Sequence, residues 1–73
     1  MPKLYSGAEI VKRLKRLGFE PVSQKGSHLK LRKGRARSIR TAIVPMHKQV
    51  ALGTLKSVLL QAKITKLELD QAK

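Results

Sequence analysis

Lys25-Gly26-Ser27-His28-Leu29-Lys30-Leu31-Arg32-Lys33-Gly34 reads as one strand held between two turns. Leu29 and Leu31 alternate with His28, Lys30 and Arg32, the period of two that sends successive side chains to opposite faces of a half-buried strand. The imidazole and two cations therefore share an exposed face, while the leucines face a core. Lys25-Gly26 and Lys33-Gly34 turn the chain on either side, so the neighbouring segments return antiparallel. Upstream, Phe19 to Gln24 suits a strand, and Pro21, which has no N–H to give to a ladder, marks it as an edge. Downstream, Ile39, Thr41 and Ile43 are expected to point inward and Ser38, Arg40 and Ala42 outward, until Pro45 ends the strand and restrains Val44 before it. A three-stranded antiparallel meander is the expected centre of the fold.

Helical signals flank the meander. Ser6 and Glu9 have the capping-box spacing, which satisfies two free backbone N–H groups at a helix start near Gly7. Tyr5 and Ile10 are placed to staple that turn, and Ile10, Leu14 and Leu17 recur on one helical face with Val11 on its flank. Lys12, Arg13, Lys15 and Arg16 form the opposite, solvated face, and Gly18 is a natural left-handed terminator. After a loop from Met46 to Leu52, the residues Leu55, Val58 and Leu59, widened by Leu60, predict a second helix. Thr65 with Glu68 repeats the capping-box spacing and predicts a short third helix carrying Leu67 and Leu69, with the tail after Asp70 frayed. The expected class is α+β: helix, three strands, helix, and a short C-terminal helix, with no internal repeat or linker.

At 73 residues there is room for one domain spanning 1–73, its core running from about 6 to about 69. A chain this short buries only about 60% of the surface its unfolded form exposes, so its stability leans on outside support. There are no cysteines, which excludes disulfides, and two histidines with four scattered acidic residues make a four-ligand metal site hard to build. No metal or cofactor is expected, and a binding partner is the expected support. No apolar run approaches membrane-spanning length, and the expectation is a soluble cytoplasmic protein that binds no membrane. Seventeen Lys and Arg against four Asp and Glu give a net charge of +13, which calls for a polyanionic partner. No acidic residue lies between Glu20 and Glu68, while that stretch holds much of the basic charge.

Several fragments together resemble a known family. Gly18-Phe19, Lys25-Gly26-Ser27-His28, Val44-Pro45-Met46-His47, and Gly53-Thr54-Leu55-Lys56-Ser57 followed by Leu59 and Gln61-Ala62 are similar, in order and at similar spacing, to the HicA (YcfA-like) toxins. The resemblance runs from about Ser6 to Leu69. It implies a double-stranded-RNA-binding-domain-like fold with both helices on one face of the sheet. It also implies a toxin–antitoxin function: cleavage of messenger RNA, restraint by a HicB-type antitoxin, and catalysis by the histidine that His28 matches. Two positions depart from the pattern. Leu52 stands where the family usually has proline, and Lys63 where it often has glycine, at an expected left-handed cap.

The implied chemistry needs little beyond these residues. RNA carries its own nucleophile, the 2′-hydroxyl beside each phosphate, so a protein must supply a base and cations to stabilise the developing charge. Imidazole, with a solution pKa of about 6.5, suits the base role, and His28 is the candidate. Lys30, Arg32 and Arg40 are expected to hold phosphates, Lys25 and Ser27 to flank them, and Gly26 to let RNA backbone approach closely. Lys56 belongs to a helix start that would favour an anion. His47, in the loop after Pro45, is either the general acid or a loop contact to RNA or antitoxin. The acid stays unassigned, since lysine or water would also serve. The expected substrate is a single-stranded region of messenger RNA. Two other classes fit the same composition: a non-catalytic double-stranded-RNA-binding module and a basic structural nucleic-acid-binding protein.

Overall fold

The computed structural model describes residues 4–73, so residues 1–3 of the expected domain lie outside the described residues. Ser6 accepts a hydrogen bond from the Glu9 N–H while the Glu9 carboxylate accepts one from the Ser6 N–H, and this reciprocal pair starts α1, Gly7–Arg16. Gly18, at a φ of 99°, turns the chain out of the helix into β1, Glu20–Lys25. β2, His28–Lys33, and β3, Arg40–Pro45, complete an antiparallel sheet in the order β1-β2-β3. α2, Leu52–Ala62, and α3, Lys66–Gln71, follow, the latter opened by a second reciprocal pair between Thr65 and Glu68. The architecture is the expected α+β arrangement.

β1 is an edge strand, as Pro21 requires, and its pairing with β2 is interrupted by a bulge between Pro21 and Ser23 that leaves Val22 unpaired. Leu31, Ala42 and Val44 are fully buried on one face of the sheet, against Ile10 and Leu14 of α1 and Leu55, Val58 and Ala62 of α2. Both long helices thus cover one face, and the other stays open. Phe19, Val50 and Leu69 close the ends of the core.

Three expectations are corrected. In β3 the inward residues are Ala42 and Val44, while Ile43 is 43% exposed and Ile39, in the β2–β3 connection, 46%. The register pairs Leu31 with Ala42 and Leu29 with Val44, so Thr41 and Ile43 fall on the His28 face and Arg40 on the helix-covered side. Thr41, Ile43 and Val44 are all β-branched, so strand propensity does not choose between the faces, and close helix packing selects the smaller alternate residues, Ala42 and Val44, for the interior. Second, Leu60 and Leu67 are exposed, at 79% and 64%; only Leu69 of the third helix is buried. Third, Arg13 is not simply solvated. Its guanidinium lies 4.9 Å from the Tyr5 ring centroid and donates to the carbonyls of Leu69 at 3.2 Å and Asp70 at 2.8 Å.

That contact is part of a clamp holding α3 against α1. The Tyr5 hydroxyl donates to the Asp70 carboxylate, which also accepts from Lys66 Nζ at 3.0 Å. Asp70 is held below the usual carboxylate range, first by the Tyr5 hydrogen bond and then by Lys66, while burial and the same hydrogen bond push the Tyr5 phenol up. Asp70 is thereby anchored, and the helix runs one residue beyond it, to Gln71, into the tail expected to fray.

Candidate active site

His28 is the first residue of β2, directly after the two-residue turn Gly26–Ser27. Gly26 has a φ of 58°, which glycine adopts without strain and which suits the twist of a tight hairpin. Nothing lies within 4 Å of where a Gly26 side chain would start, so the turn is open to an approaching ligand. In register His28 stands between Lys25 of β1 and Pro45 of β3.

The imidazole borders two concavities. One lies on the open sheet face and is lined by Ser23, Lys25, Gly26, Ser27, Lys30 and Ile43 as well as His28. The other, about 470 Å³, runs between β3 and α2, where His28 and His47 share a lining with Pro45, Thr54, Ser57 and Gln61. Among the described residues, no acidic side chain lines either one. Any polyanion reaching His28 therefore meets a one-signed surface.

His47 owes its place to three backbone tethers. Met46 N–H donates to the Ser27 carbonyl at 2.6 Å, Gly7 N–H to the His47 carbonyl at 2.9 Å, and Val50 N–H to the Tyr5 carbonyl at 2.8 Å. The loop is thereby pinned to the hairpin turn on one side and to the start of α1 on the other. Gly7 is essential to this: a Cβ there would collide with the Pro45 carbonyl oxygen and the Met46 backbone.

On α2, Thr54, Ser57 and Gln61 follow the helical repeat and form a polar stripe along the cleft. Gln61 Oε1 accepts a hydrogen bond from the Ile43 N–H at 2.8 Å, satisfying an outward-facing donor of the edge strand β3. The sequence singles out neither Gln49 nor Gln61 as a site residue and places Ile43 in the core, although the spacing of Thr54, Ser57 and Gln61 carries the signal of one shared helix face.

The cations divide. Lys25 and Lys30 border the open-face concavity, and Arg32 follows on the same face, paired in register with Glu20 and Thr41. Arg40, opposite Lys33, lies on the other side of the sheet, and Lys56 is exposed on α2 but lines neither concavity. α2 begins after Ala51, which offers no side-chain cap. Among the described residues, no group of three or more His, Cys, Asp or Glu side chains comes together as a metal site would require. No helix among them is long and apolar enough to cross a membrane.

A family model described as the HicA toxin of bacterial toxin–antitoxin matches residues 7–64, from the first residue of α1 to just past the end of α2. The chain belongs to the HicA toxin family. It is thus a toxin of a toxin–antitoxin pair, and the match spans His28, His47 and every residue lining their shared cleft. The α3 helix of this HicA-family chain lies beyond the matched segment, so the Tyr5–Arg13–Asp70 clamp joins a residue inside it to two outside. No curated protein in the comparison matches the chain significantly.

Proposed function

We propose that this HicA-family toxin is a metal-independent endoribonuclease that cuts single-stranded regions of messenger RNA, with His28 as general base. The observation that carries the reading is the position of His28: exposed, at the junction of two concavities without acidic lining, one of which it shares with His47. Neutral His28 takes the proton of the 2′-hydroxyl as that oxygen bonds to the adjacent phosphorus. The P–O5′ bond breaks, and His47, protonated, returns a proton to the leaving 5′-oxygen. The products are a 2′,3′-cyclic phosphate and a 5′-hydroxyl, and no electrons or further reactants are needed. Lys25, Lys30 and Arg32 bind the phosphates that flank the cut, with Gly26 and Ser27 leaving room for the backbone. Arg40 and Lys56, set apart from His28, serve more distant phosphates. The antitoxin is of HicB type, with acidic groups that cover the His28 face and offset the charge of +13.

Expression of the wild type and of His28→Ala without antitoxin tests this. The wild type arrests growth and fragments transcripts, whereas the variant loses cutting by about 100-fold or more and retains RNA affinity. Equal growth and intact messages in both would overturn it. Unchanged RNA-dependent function in the variant would identify a non-catalytic binding module instead.

A further inference from the structure

The cleft between β3 and α2 has features that the positioning of His28 does not require. Ile43 is 43% exposed on the face that carries His28, Lys30 and Arg32, and it lines both concavities at their junction. Across the cleft, Val50 and Val58 supply an apolar floor. Gln49 and Gln61 stand at its polar rim. A lining shared about evenly between polar and apolar groups, in a volume within the ordinary range of about 300–1,000 Å³ for ligand sites, suits a ligand with apolar faces and a polar edge.

The orientation of the Gln61 amide is settled by chemistry. The Ile43 N–H is a donor, so the atom facing it must be the amide oxygen, and Nε2 is the end left for another partner. A cleft next to His28 that presents an N–H donor above an apolar floor fits a flat ring with a carbonyl oxygen on its edge. We infer that it is a subsite for one unpaired nucleobase next to the scissile phosphate, with Gln61 as the specificity-determining residue that donates to a ring carbonyl. Uracil O4 and guanine O6 are such acceptors at the ring position where cytosine and adenine carry an amino group. A base with an amino group at that position turns a donor towards the Gln61 donor, and uracil and cytosine differ there while keeping the same ring. The inference rests on the nuclease reading for the identity of its ligand, while the binding it describes is independent of cleavage.

Two measurements test it. In the first, 15N-labelled His28→Ala protein is titrated with short RNAs that differ only in one base, and the Gln61 side-chain amide resonances are followed. They shift with uridine-bearing RNA, and affinity falls about fivefold when cytidine is substituted. In the second, cleavage by the wild type and by Gln61→Glu is profiled over the same series. The variant keeps an acceptor for the Ile43 N–H but replaces the donor with a carboxylate oxygen, which accepts from an amino group, so its preference between the two pyrimidines turns from uracil towards cytosine. Gln61 amides that do not respond, or a base profile identical in the two proteins, would overturn the subsite. A base-dependent shift at Gln61 with no cleavage by the wild type would instead retain the subsite and sink the nuclease. If Gln61→Glu loses its fold, the titration decides alone.

Discussion

At the scale of single residues, His28 and His47 have different supports and should fail differently. His28 is carried by a regular strand, so its replacement should remove the proposed chemistry with little effect on folding. His47 hangs on a loop held by backbone bonds to Ser27, Gly7 and Tyr5, which a change of its side chain leaves in place. If His47 protonates the leaving oxygen, His47→Gln lowers cleavage of ordinary RNA by about 100-fold. The same variant should cut a substrate with sulfur in place of the 5′-oxygen at near the wild-type rate, because a thiolate leaves without a proton. An equal loss on both substrates, measured in single-turnover assays, would assign His47 to RNA contact instead.

The candidate site was half legible in the sequence, for a reason visible in these same residues. His28 was legible because alternation within one strand needs no knowledge of the rest of the fold. The cleft was not, because it exists only where α2 docks along the outer edge of β3, and Gln61 meets Ile43 eighteen residues away in sequence. Arg40 shows the opposite error. Its basicity was plain, but its face depended on the register with β2, and that register was misread at Thr41-Ala42-Ile43-Val44.

At the scale of elements, what local chemistry specifies was readable and what packing specifies was not. Both capping boxes, the turn at Gly26 and the edge proline Pro21 each act within a few residues, and each occurs as read. Leu60 and Arg13 were misjudged because their surroundings come from distant segments. Lys63 is a local case with an energetic consequence. It closes α2 at φ 57° and ψ 43°, a left-handed conformation that costs a non-glycine residue about 1 kcal/mol. Lys63→Gly should therefore raise stability by about 0.5–1 kcal/mol in chemical denaturation, since glycine adopts this geometry freely. An unchanged or lower midpoint would show that the lysine side chain offsets the backbone strain.

The clamp between α1 and α3 makes a further prediction. Asp70 titrates lower in the folded protein than in the unfolded chain, so its contribution is present above the unfolded value of 3.8 and is lost as pH falls through the folded one. Tyr5 titrates higher when folded, so its contribution is present below 10.0 and is lost as pH rises through the folded value. Stability plotted against pH should thus fall at both ends, and Tyr5→Phe should flatten both falls while lowering the plateau by about 1 kcal/mol. Parallel curves for the two proteins would remove the hydrogen bond from the account.

At the scale of the whole molecule, the excess of positive charge and the single covered face of the sheet act together. The helices bury one side, and the open side carries His28 with Lys30 and Arg32, so the proposed catalytic and phosphate-binding groups coincide on one surface. In the proposed pair, the antitoxin hides that surface. The central claim is that the substrate's own 2′-hydroxyl is the nucleophile and His28 its base. Cleavage of an RNA oligonucleotide, in a chelator, is compared with that of the same oligonucleotide carrying one 2′-deoxyribose at the cut position. The account predicts that the all-ribose strand is cut to a cyclic phosphate and a 5′-hydroxyl and that the single deoxy position is not cut. Cutting at that deoxy position, or cutting that stops in the chelator, would contradict it.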